Sequence, residues 1–119
     1  MNCYIAKMVF RIVCGNGNHT PQFDEQIRLF YATHQQEALQ KAIVLGKAEE
    51  DCFMNIHQQP VQWQFIAITA LYDIQSPTDG IEIASCIKEV DNAENYLYIT
   101  HKKAVQVVEA NSLQTQTIY

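Results

Sequence analysis

No apolar run in these 119 residues approaches the ~20 that a membrane helix needs. Basic residues are scarce: 8 Lys and Arg stand against 13 Asp and Glu, for a formal net charge of −5. A nucleic-acid module needs a basic stripe for phosphates, so that class is set aside. The first ten residues alternate too strictly for the apolar centre of a signal peptide and carry no basic leader, so neither leader nor membrane anchor is expected. Close cysteine spacing is missing as well. Cys3, Cys14, Cys52 and Cys86 form no metal knuckle. Reduced, buried thiols in a bacterial cytoplasmic protein are the expectation.

The signatures of catalysis are also absent. No two histidines have the i, i+4 spacing of a zinc helix, and no Gly-x-Ser-x-Gly occurs. His19, His34, His57 and His101 fall in loops or near element ends. Gly15-x-Gly17 leads into a strand rather than a helix, so it reads as a turn and not as a phosphate cradle. Asp24 and Glu25 are adjacent, and a strand would point them to opposite faces. Neither a metal nor a cofactor is expected.

What the sequence does hold is periodicity. Residues 3–14 alternate, with Tyr4, Ala6, Met8, Phe10, Ile12 and Cys14 on one side. A Gly/Asn-rich turn ending at Pro21 leads to a second strand over 22–32, whose apolar set is Phe23, Ile27, Leu29 and Tyr31. Bringing both apolar sets to one core face predicts Phe10 opposite Ile27 and Met8 opposite Leu29. Thr33-x-x-Gln36 reads as a capping box opening a helix over 34–52. Its stripe runs Ala38, Leu39, Ala42, Ile43, Leu45, and Gly46 within it implies a close approach to the sheet. The acid run Glu49-Glu50-Asp51 opposes the dipole at that helix end. Residues 61–74 form a third strand whose apolar parity changes near 66, through a bulge or through burial on both faces. A turn at 75–80 predicts a hairpin to a fourth strand over 81–89. Residues 91–110 carry helical spacing, with Asp91 and Glu94 as cap, against a β-prone Tyr96–Thr100. The helix, over 92–110, is favoured.

The expected fold is therefore α+β: an antiparallel sheet of about four strands (3–14, 22–32, 61–74, 81–89), one helix (34–52) on its main face, and a C-terminal helix (92–110). Residues 1–111 form a single domain and 112–119 a polar tail.

Three stretches carry a family resemblance: Tyr4-Ile5-Ala6-Lys7 opening the first strand; Glu37-Ala38-Leu39-Gln40-Lys41-Ala42 with the following Leu45-Gly46; and Val61-Gln62-Trp63-Gln64-Phe65. In that order they resemble a group of small bacterial proteins catalogued as domain of unknown function 4288, over about residues 4–87. The resemblance implies a compact α+β domain and no reaction. It transfers no catalytic residue.

The candidate binding residues are Lys7, Arg11, Arg28 and Trp63. The three cations are expected on one sheet face, beside Val9, Phe30, Gln62 and Gln64, where a net acidic protein would bind an anion or an acidic partner. The expected function is a non-enzymatic protein-interaction or binding domain, with a protein partner or a second copy meeting a sheet face or edge. The alternative is a small enzyme or ligand-binding domain with a cleft between the sheet and the C-terminal helix.

Overall fold

The computed structural model describes the backbone of residues 1–118 and the side chains of residues 1–112. Two compact units meet in sequence between Ser85 and Cys86. The first holds β1 (Asn2–Cys14), β2 (Gln22–Ala32), α1 (Gln35–Ala48), β3 (Asp51–Met54) and β4 (Pro60–Gln75); the second holds α2 (Ala93–Ile118). The strands form one antiparallel sheet in the order β2-β1-β4-β3. The α+β class, an antiparallel sheet of four strands and the two helices are as expected, although one of the four strands is not the one predicted.

The even residues of β1 make the core. Tyr4, Ala6, Met8 and Phe10 are buried beneath α1, which meets them with Ala38, Ala42 and Gly46. These three small residues, four apart, lie on one helix face and let the backbone come close to the sheet. A Cβ on Gly46 would overlap the Phe65 ring carbons. The close approach inferred from the glycine is therefore present.

The β1–β2 register differs from expectation. Phe10 faces Asp24 and Met8 faces Gln26. Opposed residues of a ladder share a face, so Asp24, Gln26, Arg28, Phe30 and Ala32 lie on the helix side, and Ile27 and Leu29 do not. The connecting loop fixes this pairing. Gly15 and Gly17 take φ of 58° and 83°, which suits glycine. His19 stitches the loop, its Nε2 accepting from the Cys14 amide at 2.9 Å and its Nδ1 donating to the Thr20 carbonyl at 2.8 Å. Asp24 accepts from Gln26 at 2.6 Å.

α1 begins one residue later and ends sooner than predicted. His34, extended at φ −155°, is the N-cap, with its Nδ1 accepting from the Glu37 amide at 3.2 Å. Thr33 is drawn away from that role because its hydroxyl donates to the Glu37 carboxylate at 2.6 Å. That bond is the largest cause holding the Glu37 carboxyl below its ordinary value; desolvation opposes it and the Lys41 charge assists. A lowered carboxyl contributes stability that is present at neutral pH and is lost as pH falls through its folded value. In an NMR titration the Glu37 midpoint is expected below that of a free glutamate, and Thr33→Val is expected to move it up. An unmoved midpoint in the variant would contradict the bond's role.

Beyond Ala48 the acid run leaves the helix, and each of its members takes a separate partner. Glu49 meets Arg28, Glu50 accepts from the Phe65 amide at 3.0 Å, and Asp51 accepts from the Cys52 amide at 2.8 Å. Carboxylates are disfavoured in a last helical turn, and here they work just past it. Residues 51–54, the first two of which were expected in the helix, are the short edge strand β3.

β4 carries register shifts that leave Ile66, Thr69 and Ile74 unmatched against β1. The parity change near 66 is a bulge, and it returns Ile68 and Leu71 to the helix side beside Trp63 and Phe65. The strand predicted at 81–89 is absent. Gln75 takes a left-handed φ of 50°, turning the chain out of the ladder, and residues 81–90 have no regular structure. Ile83 and Ala84 line a hollow of about 380 Å³ with Ile5, Lys7, Ile27 and Tyr72.

In the second unit, residues 96–100 are helical. The cap is Asn92, whose side chain accepts from the Asn95 amide at 3.0 Å, in place of Asp91. α2 runs past the expected end at 110, to Ile118. The expected tail, 112–119, falls mostly on residues whose side chains lie outside the described set. The four cysteines are free; Cys3 is buried, whereas Cys52 and Cys86 are exposed, against the expectation of burial. No described helix is long and apolar enough to cross a membrane.

Candidate functional site

The sheet face turned away from α1 is built from the odd residues of β1 and β2. Its pairs are Cys3–Tyr31, Ile5–Leu29, Lys7–Ile27, Val9–Glu25 and Arg11–Phe23. β4 adds Gln64 opposite Arg11, Ala70 opposite Lys7 and Tyr72 opposite Ile5. At the β4 end the face is closed over, with Cys3, Ile5 and Ile74 buried together. Along β2 it is open. Phe23 is 55% exposed, Ile27 70%, Leu29 49% and Tyr31 54%. Scattered exposed apolar residues are ordinary, but four on one strand face, interrupted only by Glu25, are not.

Charge frames that row. Lys7 pairs with Glu25 at 3.1 Å. The Arg11 guanidinium carbon sits 5.9 Å from the Phe23 ring centroid, within range of a cation–π contact. Gln64 and Gln62, bonded to each other at 3.0 Å, continue the polar border.

The structure separates the four predicted binding residues. Lys7 and Arg11 lie on this face, as expected. Arg28 lies on the opposite one, where it is already engaged. Its Nη1 and Nη2 donate to both Glu49 oxygens at 3.1 and 2.6 Å, and its Nε and Nη2 donate to Gln26 at 3.1 and 2.8 Å. That two-pronged pairing ties β2 to the end of α1 and leaves Arg28 no role in an anion site shared with Lys7. Phe30 is on the helix side too. Trp63, half-buried, packs on Phe10 with ring centroids 6.3 Å apart, at the margin of the core. The displacement of Arg28 follows from the register: moving the ladder by one residue moves every side chain of β2 to the other face.

Sequence reasoning missed Phe23, Ile27, Leu29 and Tyr31 as surface residues. Their alternation was visible, but alternation states only that one side of a strand is apolar, and nothing in it says which side the helix covers. Among the described residues no group of three His, Cys, Asp or Glu is placed to hold a metal ion.

The family described as a domain of unknown function (DUF4288) matches residues 3–85, ending where the first compact unit ends. No curated protein and no solved structure matches the chain.

Proposed function

The chain belongs to the DUF4288 family, and from that footing we propose that it is a protein-interaction domain whose partner docks on the sheet face turned away from α1. The observation that carries this reading is the open row Phe23, Ile27, Leu29, Tyr31. Burying large apolar side chains supplies roughly 25 cal/mol per Å², and aromatic residues with an arginine at the border are the usual makeup of an interface centre. The partner this face fits is a protein surface with an apolar middle and a carboxylate to meet Arg11. The protein works in a bacterial cytoplasm, a setting that its four free thiols suit.

The test is capture of a partner from extracts of the native cell by immobilised protein. Wild type and Arg28→Gln are expected to retain the same partner, because Arg28 is on the other face. Ile27→Glu places a charge in the middle of the row and is expected to lose it, and Arg11→Glu to weaken it. A partner held equally by Ile27→Glu would overturn the assignment of this face.

A further inference from the structure

On the sheet face turned away from α1 the middle strand is buried and its flanks are not. Cys3 and Ile5 of β1 are 0% and 8% exposed, yet their cross-strand neighbours Tyr31, Leu29 and Tyr72 are exposed. A narrow cover along β1 produces that pattern, and the segment after β4 supplies it. β4 ends at Gln75, paired with Cys3. Farther along, Ile83 and Ala84 lie around the hollow of about 380 Å³ with Ile5, Lys7, Ile27 and Tyr72. Cys3 thus sits between the point where the chain leaves the sheet and the point where it returns over it. More than half of the Ile81 and Ile83 surface is covered. Among the described residues neither a hydrogen bond nor an ion pair joins 76–85 to the sheet; its own backbone bond runs from the Ile81 amide to the Thr78 carbonyl at 3.2 Å. Apolar contact alone holds the segment, and a segment held that way opens at far lower cost than the ladder beneath it. Gln75 and Gly80, at φ 50° and 81°, are its two left-handed bends, and Gly80 turns in open space.

We propose that residues 76–85 are a displaceable strap: they swing off the sheet as a unit, pivoting at Gln75 and Gly80, and uncover Cys3 and Ile5 as further floor of the outer face. The use of this strap as a gate rests on the sheet-face reading above. Ile83 lines the same hollow as Ile27, the middle of the open row, so a partner that buries Ile27 there meets the strap. The strap is then a built-in competitor, and it carries the chemistry of what replaces it. The partner presents an aliphatic side chain to the place of Ile83, between the apolar walls of Ile5, Ile27 and Tyr72. A site closed by its own chain binds with an affinity reduced by the fraction that is open. Loosening the strap therefore tightens the partner.

The experiment is iodoacetamide labelling of the full chain under native conditions, each thiol followed by mass spectrometry, beside urea unfolding followed by Trp63 fluorescence. Cys3 is expected to be labelled much faster than the chain unfolds, because only the strap has to move. Ile83→Ser is expected to raise the Cys3 rate about fivefold or more. It is expected to leave unchanged the Trp63 unfolding midpoint and the rate at Cys14, which is on the helix side. Ile87→Ser, at a side chain already exposed, is the control and is expected to change none of these. Cys3 labelled no faster than global unfolding would overturn the strap. So would a Cys3 rate indifferent to Ile83→Ser, which is what fraying of the first residues of β1 would give. Labelling needs no partner, so a failed capture leaves this result standing. For a partner that wild type retains, Ile83→Ser is expected to lower the dissociation constant about fivefold, the reverse of Ile27→Glu. An unchanged constant would overturn the gate.

Discussion

Phe10→Ala is expected to destabilise the first unit by about 3–5 kcal/mol, the range for an aromatic removed from a packed core. Phe10 is 1% exposed, and its ring lies 5.8 Å from the Phe65 centroid, edge-on, and 6.3 Å from that of Trp63. Ala42 packs in the same cluster, and an alanine is too short to fill the void. The cavity term therefore adds to the lost transfer energy. Denaturant unfolding followed by Trp63 fluorescence measures this directly, because the only tryptophan touches the deleted ring. Ile27→Ala is the counterpart. The alternation of β2 would make it a core change costing about 2–5 kcal/mol; its exposure predicts a shift within about 0.5 kcal/mol. Equal costs at the two positions would refute the observed register.

Gly46→Ala is the second large effect, and its sign decides between two forces. Helix propensity alone favours alanine by about 1 kcal/mol. Against it, the new methyl would enter the Phe65 ring at Cγ, Cδ1 and Cε1. A ring fixed against Phe10 cannot swing aside as a flexible chain end would, so overpacking of about 1–3 kcal/mol is expected to win. Net destabilisation is the expected result, and Phe65→Leu in the same chain is expected to restore part of it. A stabilised single variant would mean that α1 stands farther from the sheet than Gly46 indicates.

How much was legible follows from what each signal measures. The even set of β1 identified the core, because four buried positions on one face leave a period-two trace. Gly46 showed the close helix, and the parity change at 66 located a bulge. Register was not legible. It depends on a seven-residue loop held by His19, and no pattern in the strands encodes that bond. The strand at 81–89 was over-read because alternation alone supplies no backbone partners, and Gln75 turns the chain away from the ladder. β3 was missed because four residues are too few to show a period. For the candidate surface, Lys7 and Arg11 were found from charge, and the apolar row beside them was found but assigned to the wrong side.

The spare residues of β4 bear on how this chain can change length over evolution. Ile66 and Thr69 match nothing on β1, so losing either one joins neighbours that already point to opposite faces, and the inward row Phe65, Ile68, Leu71 stays inward. Losing Ala67 or Ala70 instead would need an existing bulge to absorb the slip. Single-residue gaps in β4 among related sequences should therefore gather at those two positions, where a deletion makes the ribbon more regular.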